Sequence, residues 1–247
     1  MHYTSTKKRT FIATTPPGVP PEAHRVMSRV HDRLLELERS FIPSVSSRNF
    51  IDQWNTVLAD ITKFHECVIS QAEYSVTCSR GCINCCNHWV EDVNSFEAEI
   101  IAGVIRHRYP HRIDSIRSHC MEDGEELERL DSLVLERFEE NPSTDCSIDS
   151  VDLLLNVFYQ MKRPCPLLDK DGGCMVYDVR PLTCRLYFSF SDPLRCDPEY
   201  INTSGTSTCI IDLSEEVNSL LDMLHFRYMR FDGDTGLRSQ LAKYLAE

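Results

Sequence analysis

The chain lacks any apolar run approaching the ~20 residues that cross a bilayer. Its opening segment, MHYTSTKKRTFIATTPPGVPPEAH, holds no apolar stretch of the ~7–15 residues typical of a secretory signal. These absences predict a cytoplasmic protein with no membrane span. Positive charge is also scarce: 26 Lys and Arg against 38 Asp and Glu give a net charge of -12. Such a balance argues against general nucleic-acid binding through a basic face. Only a small basic patch stands out, formed by Arg106, Arg108 and Arg112. There is no G-x-G-x-x-G loop, which speaks against a Rossmann methyltransferase. No series of βα units is present, and the chain is too short for a full barrel of that kind. Internal repeats and low-complexity tracts are missing too.

Cysteine, by contrast, is plentiful. With 42% hydrophobic and 26% charged residues over 247 positions the composition is globular and supports a substantial core. Twelve cysteines fall below the density of small disulfide scaffolds, and a reducing compartment keeps thiols free. Four of them crowd together as Cys78-Ser-Arg-Gly-Cys82-Ile-Asn-Cys85-Cys86, and Cys165, Cys174 and Cys184 follow in CPLLDKDGGCMVYDVRPLTCRLY. Thiolates this dense repel one another unless a soft metal ion or an iron–sulfur cluster holds them.

The periodicity around these groups is helical. Pro21 opens a segment with Ala23, Val26, Met27, Val30, Leu34, Leu37 and Phe41 on one face, and Pro43 stops it. Phe50, Trp54, Val57, Leu58, Ile61, Phe64, Val68 and Ala72 define a second helix, expected to pair with the first as an antiparallel hairpin. Asn94-Ser95-Phe96-Glu97 reads as a capping box for a helix that ends at Tyr109-Pro110. A long charged helix is predicted from about 111 to 139, interrupted at Gly124, with Ile113, Ile116, Cys120, Leu127, Leu130, Val134 and Phe138 inward. Asn141 to Asp145 is a loop, and Val151 to Met161 is helical or extended. Asp169-Lys170-Asp171-Gly172-Gly173 marks the turn of a small hairpin. Val217, Leu220, Leu221, Leu224 and Tyr228, then Leu237, Leu241 and Leu245, return to helical spacing.

The expected fold class is therefore mainly α: a helical domain with irregular cysteine-rich metal-binding loops and a small β-hairpin. Its expected divisions are a flexible arm at 1–20, N-terminal helices at 21–77 packed on the core, a cysteine-cluster domain at 78–210, and C-terminal helices at 211–247.

Cys82 and Cys85 have the C-x-x-C spacing that aims two sulfurs at one metal, and Cys78 lies one helical turn earlier. Cys86 points either to a second metal or multinuclear cluster, or to simple burial, because adjacent side chains diverge. Cys165, Cys174 and Cys184 sit beside Pro164, Pro166 and Pro181, which stiffen their loops. Cys196 and Cys209 follow in loop sequence as further candidate ligands, while Cys67 and Cys120 read as core thiols. His88 is the nearest imidazole, though packing explains it more simply; His107 and His111 read as helix-end residues. Arg180 and Arg185 flank Cys184 and are candidates for holding a thiolate or an anionic cofactor.

The combination CSRGCINCC, GCMVYDVRPLTCRLY and the intervening NSFEAEIIAGVIRHR resembles the YkgJ-type cysteine-cluster family, described as a zinc- or iron-chelating domain, over roughly residues 78–190. The resemblance implies ligands among Cys78, Cys82, Cys85, Cys86, Cys165, Cys174 and Cys184, and makes Arg180, Pro181 and Arg185 family-like positions. It extends to flagellin lysine N-methylases, which use an iron–sulfur cluster and S-adenosylmethionine. The Cys78-x3-Cys82-x2-Cys85 spacing is also that of radical enzymes, although the architecture is not theirs. The leading expectation is an iron–sulfur protein, with one [4Fe–4S] cluster and S-adenosylmethionine, that supports modification of a peptide, protein or small molecule. The alternatives are a zinc-stapled interaction module and an iron- or zinc-handling protein without catalysis. The substrate or partner is open.

Overall fold

The first helix, α1 (Pro21–Arg39), begins at a proline whose fixed φ suits the first turn, and it buries Ala23, Val26, Val30, Leu34 and Leu37. The chain leaves it at Ser40 in an extended conformation. Phe41 therefore does not continue the apolar face as expected; it is 96% exposed, beneath the Arg227 guanidinium at 5.8 Å. Helix α2 (Arg48–Ile69) starts where the Ser47 hydroxyl accepts a bond from the Phe50 N–H at 3.2 Å. The two form the expected antiparallel hairpin, cross-braced by Arg33 Nε and Asp60 Oδ2 at 2.7 Å.

The computed structural model describes residues 20–71, 75–79, 81–140, 150–199, 208–231 and 236–247, with backbone alone at 138–140 and 209. The expected arm up to residue 19, Ala72, the loop from Asn141 to Asp145, and Cys146 lie outside the described residues. Helix α3 (Ser95–Arg108) starts with the Glu97 carboxylate reaching back to the Asn94 N–H at 3.2 Å, the acidic half of the expected capping box. Helix α4 (Ile113–Glu140) runs straight through Gly124. The expected interruption fails because glycine in a helix costs only about 1 kcal/mol. Ile116, Cys120, Asp123, Leu130 and Val134 are all buried on that helix and outweigh it. The apolar piece after 150 is a helix, α5 (Ser150–Gln160).

The remaining elements are α6 (Leu182–Leu186), β1 (Tyr187–Ser189), β2 (Thr208–Ile210), α7 (Glu215–Tyr228) and α8 (Leu237–Tyr244). Strands β1 and β2 pair antiparallel, with Phe188 opposite Cys209. The hairpin expected at 169–173 is present in minimal form, one antiparallel bridge between Leu168 and Cys174. Gly172 closes it at φ 79°, a conformation that favours glycine.

Two larger cores hold these elements. The first joins α1, α2 and α7 to Phe96 and Ile100 of α3, and it includes Leu182 from the cysteine-rich part. Phe96 meets the edges of Phe50 and Trp54 at 5.9 and 4.9 Å, geometry that aromatic quadrupoles favour. The second joins α3, α4 and α8 to Leu167, Met175 and Val176. A smaller cluster packs Trp89 against α4 and α5. The fold is mainly α, and among the described residues no helix is long and apolar enough to cross a membrane.

Candidate metal centre

Two irregular segments carry the thiols. In the first, the Thr77 N–H bonds the Ser189 carbonyl at 2.9 Å, laying the chain beside β1. The Ser189 N–H in turn donates to Cys78 Sγ at 3.2 Å. Gly81 takes φ 90° just before Cys82, a turn that an L side chain resists. A 3-10 turn at Asn84–Asn87 then presents Cys85 and Cys86. The Asn84 amide holds it to the Pro193 carbonyl at 2.6 Å. Pro193 opens another 3-10 turn that ends at the buried Cys196. Tyr159 of α5 ties both turns together, its hydroxyl donating toward the Cys196 and Asn84 carbonyls.

The second segment joins the first directly, because the Cys165 N–H bonds the Cys86 carbonyl at 2.8 Å. Cys174 stands across the small bridge from Leu168. Cys184 rides on α6, whose first N–H, that of Leu182, is held at 2.9 Å by the buried Glu97 carboxylate. Burial raises the Glu97 pKa, opposed by its bonds from Asn94 and Leu182.

Eight thiols thereby share one neighbourhood. Cys78 lies within electrostatic reach of Cys85, Cys82 and Cys196. Cys86 lies within reach of Cys85, Cys165 and Cys184, and Cys184 within reach of Cys165, Cys85 and Cys174. Cys85 and Cys86 act on each other: hydrogen bonding from Cys86 pulls the Cys85 pKa down to about 7, while the same interaction and burial push Cys86 up. Burial is the leading cause that raises Cys78, Cys165, Cys174, Cys184 and Cys196. Without metal, these five thiols are therefore held in their protonated form at neutral pH.

The expected candidates divide by partner. Arg180 lies over the Tyr177 ring at 4.3 Å and within reach of Cys85, Cys174 and Cys184. Its Nε is buried and has no hydrogen-bond partner among the described residues. Arg185 is engaged by backbone, its Nε donating to the Arg180 carbonyl at 3.0 Å and Nη2 to Asp178. It braces the turn that carries Arg180. His88 stacks on Tyr159 with ring centroids 3.7 Å apart, in keeping with a packing role. Cys120 sits in the second core, its pKa pushed up to about 12 by burial, and Cys67 packs on the first core. Cys209 is placed in β2 through its backbone, opposite Phe188. Local patterning did not flag Tyr159 and Ser189, which act on cysteines 37 and 111 positions away, and it read Glu97 only as a helix cap, not as the acceptor for Leu182 85 positions away.

Among the described residues, no three His, Cys, Asp or Glu side chains are gathered closely enough to hold a metal ion as they stand. The donor chemistry still fits a soft ion. The neighbourhood is rich in sulfur, with eight thiols within electrostatic reach of one another. Four thiolates close a structural zinc site or bind an iron–sulfur cluster. Neither a curated protein nor a solved structure matches the chain. One family model does, across residues 77–209, described as CxxCxxCC, "Putative zinc- or iron-chelating domain". That span contains all eight gathered thiols together with Arg180, and it covers more than half of the 247 residues, so the chain belongs to the CxxCxxCC family of cysteine-rich metal-chelating domains.

Proposed function

We propose that the thiol assembly holds iron as an iron–sulfur centre and supports modification of a peptide, protein or small molecule, with S-adenosylmethionine as co-substrate. The observation that carries this reading is the gathering of eight thiols around Cys85 and Cys86, twice the four that one closed zinc site uses. Cys78, Cys82, Cys85, Cys86, Cys165, Cys174, Cys184 and Cys196 are the residues that would hold the metal. When bound, such a centre supplies electron transfer and an open coordination position for a co-substrate.

The protein's own contribution is binding and orientation. Arg180, with a buried Nε left unbonded beside the thiols, is suited to receive a carboxylate, since a guanidinium forks onto such groups. Arg185 holds the backbone of Arg180 in place. Tyr159, Tyr187 and His88 pack ring to ring beside Cys85 and Cys196.

A second reading is a zinc-stapled module that serves a partner protein. It is favoured by the poor regular structure of the thiol-bearing segments, which rely on 3-10 turns and three-residue strands and so gain from cross-linking. Anaerobic purification decides between the two. Brown protein absorbing broadly near ~400 nm, with iron and sulfide in comparable amounts, supports the cluster. Addition of S-adenosylmethionine to the reduced protein should then change its electron paramagnetic resonance spectrum, and Arg180→Ala should weaken that change while metal content stays constant. Colourless protein with stoichiometric zinc refutes the cluster and establishes the zinc module.

A further inference from the structure

The C-terminal helix α8 lies outside the family-matched span, yet it grips the first cysteine segment at three backbone carbonyls. The Leu237 N–H bonds Val90 at 2.9 Å, the Gln240 side-chain amide bonds Val93 at 2.8 Å, and Arg238 Nη1 bonds His88 at 2.8 Å. Arg238 does more than the other two. Its Nη2 donates at 2.9 Å to the carbonyl of Arg163. His88 stands two residues after Cys86 and Arg163 two residues before Cys165. One planar guanidinium therefore spans both cysteine-bearing segments, beside the point where the Cys165 N–H meets the Cys86 carbonyl.

The guanidinium is enclosed by a carboxylate and two aromatic rings. Arg238 is 2% exposed, and its Nε lies 2.8 Å from Oδ2 of Asp123 on α4, which is fully buried. The other carboxylate oxygen of Asp123 takes Arg163 Nε at 2.5 Å. The Trp89 and Phe158 rings flank Arg238 at 5.6 and 5.2 Å. A buried cation is costly even when paired, and here Nε and Oδ2 form an ion pair without a hydrogen bond, so Arg238 is a poor choice for plain packing. Its distinctive property is a rigid fork that sets the distance between two carbonyls, which a point-charge ammonium does not do.

We propose that Arg238, oriented by Asp123, is a positioning residue of the metal centre: by bonding the His88 and Arg163 carbonyls together it holds the Cys82–Cys86 segment against the Cys165 segment. This rests on the chain binding zinc or iron through these cysteines. Residues that orient ligands from outside the coordination shell typically change metal affinity by 10–100-fold. Arg238→Lys keeps the charge and loses the fork, so it should weaken metal binding by roughly that factor.

The test is zinc affinity of the full chain, measured by competition with a chromophoric chelator and paired with the melting temperature of the metal-free protein. Leu241→Ala is the control, since Leu241 is a fully buried residue of α8 in the second core. The proposal expects Arg238→Lys to lose about 10-fold or more in zinc affinity, and Leu241→Ala to lower the melting temperature with little change in affinity. Unchanged affinity in Arg238→Lys overturns it. An equal affinity loss in Leu241→Ala also overturns it, because the effect would then follow helix stability alone. Should Arg238→Lys not fold, Asp123→Asn, which keeps the guanidinium and removes the charge that orients it, is held to the same criterion. A wild-type chain that takes up neither zinc nor iron overturns the underlying metal-binding reading instead, and is recognised before any variant is compared.

Discussion

Acidification should destabilise this protein through His65, by an amount that its surroundings fix. His65 lies on α2, 4% exposed, with Nε2 at 3.2 Å from the Ile211 carbonyl and its ring 5.2 Å from that of Phe188. Burial, the largest cause, lowers its pKa from 6.5 to about 4, aided by the positive charges of Arg185 and Arg180. The neutral ring donates Nε2–H to Ile211, joining α2 to the chain just past β2. Because the folded pKa is depressed, the unfolded state binds the proton more readily, and stability falls as pH falls. The contribution is fully present above about pH 6.5 and is lost as pH drops toward 4. The whole shift is worth roughly 3 kcal/mol, and linkage places about 2 kcal/mol of the loss between about pH 7.5 and pH 5. His65→Gln retains an amide donor for Ile211 and does not titrate. Urea unfolding at both pH values should show the variant losing about 2 kcal/mol less than wild type on acidification. Other titrating groups, including His225 and Glu97, remain in both proteins and cancel in that difference. Equal pH dependence in the two proteins would refute the reasoning, because His65 would then titrate alike in folded and unfolded states.

Glu97→Ala should cost roughly 1–3 kcal/mol, since it strands the buried Leu182 N–H. It should also lower metal uptake by loosening the helix that carries Cys184; thermal melting and metal analysis of the same sample check both. Gly81→Ala should destabilise by about 1–2 kcal/mol, because φ 90° is strained for an L residue even though open space surrounds the added methyl. Gly103→Ala, in the middle of α3 with equally open surroundings, should instead stabilise by roughly 0.5–1 kcal/mol. Denaturation midpoints of the pair settle whether backbone conformation, rather than space, decides the sign.

Much of the fold follows from local rules that the sequence states openly. Pro21, Ser47 and the Asn94–Glu97 pair mark helix starts because they solve the problem of unbonded N–H groups where it occurs. The apolar stripes of α1, α2 and α7 are buried as their spacing requires, since burial follows helical periodicity whatever the partner. Phe41 and Gly124 depart from the local pattern for opposite reasons. One sits just past a boundary that local pattern places only approximately, and the other is a weak breaker overruled by packing along a long helix.

The metal centre shows the same division. Its thiols and their two groups are legible because closely spaced cysteines with C-x-x-C spacing are a metal-binding pattern. Cys196 was one candidate among loop cysteines, and only tertiary structure places it beside Cys78, through Ser189, and beside the Asn84 turn, through Tyr159. Glu97 was legible as a cap, but not as the acceptor that fixes α6 from 85 residues away. Arg238 was not legible at all, because nothing in LRSQL distinguishes a surface arginine from a buried one. Its role arises only when α8 packs against α4 and delivers the guanidinium to Asp123 and to carbonyls from both cysteine segments. Sequence determined which atoms are available to bind metal, because ligand chemistry belongs to residue type. Tertiary structure decided which of them meet and what holds them there, because those contacts join elements far apart in the chain.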